Sequence, residues 1–389
     1  MSRRFLFAVL AFGTAQTAVY LVRPATSYRL LGLGSGATAV GLVAAAFALL
    51  PLFLAIPLGR RADRRHGGPL LAAGCAVQLA GCLLLAAARS PVGLGAASAV
   101  LGLGHLALAL GSQAVVARES DDERHDEHFA LLTAGVSFGQ LAGPLLGGFV
   151  LGDRRGASLL AATERAMLIG AGIAALATVF AVVGERDRAA VEAPAEAGLG
   201  GSIAAIVGTR GVPAGIFASV AALSAADVFT AYMPLLGEQR HVAPAAIGVL
   251  LAVRAAASLA TRVGIGTLVR WFGRTVLISV SAAASAAALV GLTFTHDVVL
   301  LGVLSAIIGA ALGFGQPLSM TIVVRRVPAN ARATALAVRL TGNRLGQVAA
   351  PAAAGLVAGS AGANSAFWLM SGVLVASGVA VWRAAGPNP

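Results

Sequence analysis

The chain has 389 residues, of which 58% are hydrophobic and only 11% charged, with a mean hydropathy of +0.86 and a net charge of +12. Soluble domains carry roughly 25% charged residues, so this chain lacks the charge to cover a water-facing surface and lipid must cover most of it. All 28 basic residues are arginines, set mostly at the ends of apolar runs; with no aromatic-interleaved basic patch and no zinc spacing, they exclude a nucleic-acid interface and read as topological anchors.

Continuous Ala-, Leu-, Gly- and Val-rich runs recur along the chain. Each is about 20 residues long, enough for a helix to cross a ~30 Å hydrocarbon core. A closed barrel would instead show short alternating segments. The runs predict spans at 5–22, 36–58, 69–88, 92–117, 129–151 and 164–183, then at 212–236, 245–268, 275–294, 298–322, 333–358 and 364–382. Met1-Ser2-Arg3-Arg4 leads into the first run without a small-residue cleavage site, so the first helix is read as retained. Cys75 and Cys82 lie seven apart in one span, which excludes a disulfide between them and suits two small packed hydrophobes.

The longest polar stretch begins at Glu185-Arg186-Asp187-Arg188. It divides the chain into an N-terminal six-helix bundle (1–183), a cytoplasmic linker (184–211) and a C-terminal six-helix bundle (212–389). Ser202 to Val207 suits a short amphipathic helix at the interface. With the N-terminus inside, inside segments hold seventeen arginines and outside segments seven. Both termini are therefore expected in the cytoplasm.

The two halves repeat. Gly41 and Gly248, Gly59 and Gly266, Arg118 and Arg325, and the segments beginning Gly139-Gln140 and Gly346-Gln347 are all separated by 207 positions. Two similar halves in parallel orientation are the mark of a transporter architecture with its solute site near the bilayer midplane. Across its whole length the chain resembles the major facilitator superfamily, and this implies an all-α membrane protein of 12 transmembrane helices in two pseudo-symmetric six-helix bundles.

Two motifs carry the resemblance. Gly59-Arg60-Arg61-Ala62-Asp63-Arg64-Arg65-His66-Gly67 is similar to the superfamily's loop between helices 2 and 3, with its last glycine one place late. The resemblance implies a gating latch at Gly59, Asp63 and Arg64; the counterpart keeps Gly266, Gly273 and Arg274 but puts Arg270 where Asp63 sits. In helix 5, Gly139, Gly143, Pro144, Gly147 and Gly148 fit a motif associated with drug/proton antiporters. Small residues at four-residue spacing allow close helix approach, and proline bends the helix. An arginine usual early in helix 4 of those antiporters is replaced by Ser98, so its proton-relay role is not carried over.

An ionisable group at membrane depth is a functional candidate. Asp227 in helix 7 is expected to pair with Arg254 in helix 8 or Arg344 in helix 11, with Arg339 nearer the cytoplasm. It reads either as the protonatable coupling group or as a fixed ion pair. Arginine in excess also suits an anionic substrate. By resemblance, helices 1, 4, 7 and 10 line the path, which offers Gln16, His105, Gln113 and Gln316, with Asn343 beside Arg344. Phe229, Tyr232 and Phe314 suit an apolar wall, while His105 equally suits packing. The run Glu119 to His128 mixes acids and bases and reads as a solvated turn rather than a metal site.

No catalytic signature, ATP-binding loop, cofactor site or metal site is present in the sequence. The reading is a monomeric, non-enzymatic secondary transporter of the bacterial cytoplasmic membrane. It exports a small amphipathic or drug-like molecule against proton entry. The alternatives are an importer of an organic anion or other nutrient, and a non-transporting receptor on the same fold.

Overall fold

In a computed structural model of the chain, the described residues are 2–62, 67–119, 125–186, 202–328 and 331–385. Their regular structure is helical: α1 (Arg3–Gly32), α2 (Ala37–Arg61), α3 (Gly67–Ala87), α4 (Pro91–Glu119), α5 (His125–Leu151), α6 (Gly156–Arg186), α7 (Ile203–Gly208), α8 (Val212–Gln239), α9 (Pro244–Phe272), α10 (Arg274–Leu292), α11 (Val298–Arg325), α12 (Arg332–Ala361) and α13 (Asn364–Ala385). Twelve of these are long. Eleven are long and apolar enough to cross a membrane; α12 falls short because Arg332, Arg339, Asn343, Arg344 and Gln347 crowd its first half.

The chain forms two compact units, Met1–Glu196 with Ala243–Ala252, and Ala197–Val242 with Val253–Pro389. In the first, α1 packs on α5 and α6, α3 on α4 and α6, and α2 on α4. In the second, α8 packs on α11, α12 and α13, and α10 on α11 and α13. Shifted by 207 residues, the pairings of α1 and α3 become those of α8 and α10. Large apolar side chains such as Phe53, Phe149 and Val263 point outward, as suits residues whose solvent is hydrocarbon.

Glycine sets the closest approaches. A Cβ on Gly81 of α3 would stand 2.7 Å from Leu101 Cα of α4, so only glycine lets these backbones meet. Cys75 and Cys82 are buried free thiols, Cys75 in a core with Phe5, Phe12, Leu71 and Leu108.

Helix ends depart from the sequence expectation. α1 continues through Pro24 to Gly32, ten residues past the expected end at 22, and α6 begins at Gly156 rather than 164. Arg29, expected in an outside loop, is buried in the last turn of α1. Its guanidinium donates to Ala88 O and Ala86 O, each at 3.0 Å, capping the end of α3. Orphan carbonyls at a helix C-terminus favour such a cation, and that favours continuing α1 far enough to deliver one. Arg240, the residue after α8, caps α10 through Leu292 O (2.5 Å), Thr293 O (2.8 Å) and Thr295 O. Burial pushes its pKa below the ordinary arginine value. Thr293 and Thr295 are Ala86 and Ala88 shifted by 207.

The short helix expected at 202–207 is α7, which seats Ile206 among Val212, Val323, Val327 and Ala335 while Ile203 stays exposed.

Candidate functional site

The repeated seam between the first and fifth long helices of each half positions the candidate site. In the first unit, Gly139, Gly143 and Gly147 recur every four residues on α5 and face α1. A Cβ would stand 2.5 Å from Gln16 Cβ at Gly139, 2.7 Å from Tyr20 Cβ at Gly143 and 3.3 Å from Leu21 O at Gly147. Gly13 of α1 meets Gly135 of α5 in the same seam. Gly148 points elsewhere, onto Ala245 and Gly248 of the 243–252 segment, where its Cβ would stand 3.1 Å from Gly248 Cα. With Pro144, these glycines line a small pocket with Leu21, Tyr28 and Ile247. At this close approach Gln140 Nε2 donates to Tyr20 Oη at 2.9 Å.

The second unit repeats the arrangement with one change. Gly342 and Gly346 of α12 face Ile216 and Val220 of α8. Gln347, which is Gln140 shifted by 207, donates from Nε2 to Asp227 Oδ2 at 2.9 Å; Asp227 is Tyr20 so shifted. A carboxylate thus occupies the place of a phenol. Arg344 Nη1 donates to Gln347 Oε1 at 3.0 Å, and Arg344 also feels the Asp227 charge. The expected pairing of Asp227 with Arg344 therefore includes an amide relay, with Gln347 taking a proton donor on one side and presenting one on the other. Arg254 is buried, with its guanidinium over the Phe229 ring, 5.8 Å from the centroid. In the first unit Phe47 holds the position of Arg254, and Arg23, one place past the counterpart of Phe229, lies over its ring at 4.7 Å. Tyr232 is fully buried on α8.

One to two turns along α12, a second polar group gathers Ser219 (α8), Gln316 and Ser319 (α11), and Arg339 and Asn343 (α12). Ser219 Oγ donates to Asn343 Oδ1 at 2.8 Å, and Gln316 Nε2 to Ser219 O at 2.8 Å. Arg339 Nη2 donates to Gln316 Oε1 at 2.7 Å and to Gln316 O at 3.0 Å. Gln316 and Asn343 were expected at the site, and Arg339 was noted nearer the cytoplasm; Ser219, Ser319 and Gln347 were missed. The signal for Gln347 was available: Arg339, Asn343 and Gln347 repeat every four residues and so share one face of α12.

Gln16, His105 and Gln113 belong to the first unit. Gln16 is buried beneath Gly139. His105 packs its ring on Phe47, centroids 5.5 Å apart, and Gln113 is exposed on α4. Phe314 packs with Ala218, Ile278 and Leu318.

Of the expected latch, Asp63 and Arg64 lie outside the described residues. Gly59 and Gly266 sit in α2 and α9, where an added Cβ would meet nothing within 4 Å. Gly273 precedes Arg274 at the start of α10 with φ 75°, a positive φ that favours glycine.

A further cluster was not expected. Arg4 Nη1 contacts Glu119 Oε1 at 3.2 Å and its Nη2 contacts Glu185 Oε2 at 3.3 Å, tying the ends of α1, α4 and α6. The same Glu119 accepts from Ser2 Oγ at 2.6 Å. Glu119 thus has an ion pair in place of the solvated turn expected of it. His128, from the same run, is buried against Phe5 with ring centroids 4.1 Å apart, so its side chain too departs from a solvated turn.

Comparison with known proteins agrees with the fold. The Major Facilitator Superfamily model matches residues 6–296 and 215–389. No curated protein matches the sequence. The structure resembles that of a point mutant of the nucleoside transporter NupG with a TM-score of 0.80 at 14% identity, covering 98% of this chain and 100% of that one. A POT family transporter in complex with 5-aminolevulinic acid aligns with a TM-score of 0.77 at 14% identity, covering 97% and 95%. A bacterial homolog of the human lysosomal transporter Spinster, inward-facing and occupied, gives 0.75 at 14% identity, covering 98% and 96%.

Proposed function

Because the chain belongs to the major facilitator superfamily, an all-α family of multi-pass transporters, we propose that it is a proton-coupled secondary transporter that exports a small amphipathic or drug-like molecule by alternating access. It acts as a monomer in a bacterial cytoplasmic membrane, with both termini in the cytoplasm. The small-solute class draws support from the nucleoside and 5-aminolevulinic acid named for the solved relatives. Direction draws support from the helix 5 glycines, Gly139 to Gly148, which follow an antiporter pattern.

One observation carries the coupling. Two equivalent seams hold a glutamine against the neighbouring helix, and only one of them uses an acid. The Tyr20 seam holds its glutamine without a formal charge, so packing alone does not require a carboxylate at 227. A carboxylate at membrane depth is costly and marks function by default. Protonating Asp227 removes the acceptor charge facing Gln347, weakens the hold on Arg344 and changes the relative stability of two conformations. Asp227→Asn is expected to abolish proton-driven accumulation in inverted vesicles while sparing solute counterflow. Full proton-driven transport by that variant refutes the assignment.

A second reading, import of an organic anion, is favoured by the arginines of α12. Direction separates them: accumulation in inverted vesicles under an inward-acid gradient means export, and accumulation by intact cells means import.

A further inference from the structure

Arg339 is one of the buried arginines of the second unit. Only 5% of it is exposed. Its three hydrogen bonds all leave from Nη2, to Gln316 O, Gln316 Oε1 and Ser319 Oγ (3.3 Å). All three acceptors are neutral. The Nε–H is buried and donates to nothing among the described residues, and no carboxylate among them pairs with the guanidinium. Asp227 is engaged two turns further along α12, at Gln347, about 12 Å away at 1.5 Å per residue.

The surroundings are short of acceptors as well. Gln316 Oε1 is approached by Arg339 Nη2, by Ser219 Oγ at 3.3 Å and by Asn343 Nδ2 at 3.4 Å. Ser219 Oγ spends its one proton on Asn343 Oδ1, so Arg339 Nη2 and Asn343 Nδ2 already take both lone pairs of Gln316 Oε1 and none is left for the Arg339 Nε–H. An arginine cannot relieve this by losing its proton. A buried cation with neutral partners and an idle donor is a poor structural device and a good receptor for an oxyanion, because the guanidinium edge offers paired donors at carboxylate spacing.

We propose that Arg339, with Gln316, Ser319 and Asn343 around it, is the docking point for an anionic head group, a carboxylate or phosphate monoester, on the transported molecule. This rests on the transporter reading and narrows its substrate to amphipathic anions. Asp227 then carries the proton, and one guanidinium of α12 serves the solute while Arg344 serves the acid.

The test uses the full-length protein purified in detergent, with thermal unfolding as the readout. The probes are benzoate, 1-naphthoate and phenyl phosphate, each carboxylate matched with its neutral primary amide. The anions are expected to raise Tm and to bind at least tenfold more tightly than the amides. Arg339→Gln removes that preference. Gln316→Glu places a fixed carboxylate against Arg339 Nη2 in the same shape, so it keeps the test decisive if Arg339→Gln fails to fold. This variant gives up the amide bond from position 316 to Ser219 O and, with its own carboxylate on Arg339, is expected to respond to no anion.

Amides binding as well as carboxylates, no anion shifting Tm, or an undiminished carboxylate preference in Gln316→Glu would each overturn the proposal. A parallel titration with phosphatidylglycerol separates the two sources of an oxyanion: stabilisation by lipid alone, lost in Arg339→Gln, assigns the guanidinium to a head group and removes the solute. Anion preference without any proton-driven flux in proteoliposomes would leave the site and remove the transport reading. Proton-driven flux with no anion preference would do the reverse.

Discussion

Replacing Gly143 by alanine tests whether the α1–α5 seam is as close as its geometry implies. The new Cβ would stand 2.7 Å from Tyr20 Cβ, 2.8 Å from Leu21 N and 2.8 Å from Thr17 O. Ordinary carbon contacts begin near 3.5 Å, so α5 must retreat by several tenths of an ångström along a seam of backbone atoms that cannot rotate away. Overpacking of this kind costs about 1–3 kcal/mol. Gly172 of α6 is the matched control, since an added Cβ there meets nothing within 4 Å. Alanine at Gly172 gains the helix propensity that glycine lacks, about 0.5–1 kcal/mol. Gly143→Ala gains the same helix term, which cancels in the comparison, so the two substitutions should separate by about 1–3 kcal/mol, with Gly143→Ala the less stable. At about 2–4 °C per kcal/mol, thermal unfolding of the purified proteins resolves the difference. Equal melting temperatures, or a Gly143→Ala variant more stable than Gly172→Ala, would refute the close seam.

Three further outcomes follow from described contacts. Arg240→Gln removes the cap on α10 formed at Leu292, Thr293 and Thr295; hydrogen bonds to charged groups contribute about 1.5–3 kcal/mol net, so a fall in Tm of several degrees is expected. Gln347→Leu leaves a buried Asp227 oxygen without its amide donor, a loss of about 1–3 kcal/mol, read as a lower Tm than wild type; an unchanged Tm would contradict the contact. Cys75 and Cys82 should resist maleimide in the folded protein and label fully in dodecyl sulfate, read by mass; rapid labelling of the native state would contradict their burial.

Helix number and order were legible because hydrocarbon admits few backbone solutions, and a run of apolar residues reports its own span. The ends were less legible. Nothing in the composition after residue 22 announces that α1 continues to Gly32; the reason lies in α3, whose terminal carbonyls need Arg29. The site was half legible. Asp227 and Arg344 stand out as charges in apolar runs, whereas Gln347, which joins them, looks like an ordinary motif residue until the 207-residue shift sets it beside Gln140. Arg4, Glu119 and Glu185 are dispersed over more than 180 positions, and only helix packing brings them together. Arg339 was visible as an arginine but not as one lacking an anion, because the partners of a side chain across a bundle depend on helix rotation and tilt rather than spacing.

The arginine caps of α3 and α10 have a consequence for how duplicated folds diverge. The carbonyls to be satisfied correspond between the two copies, but the residues that satisfy them do not: one sits four positions before the C-terminal flanking residue of its helix, the other is that residue. The demand goes with the backbone, while each copy meets it from a different position. Moving the guanidinium from position 29 to position 33 in the first copy should then be tolerated as an exchange, though losing it outright should not.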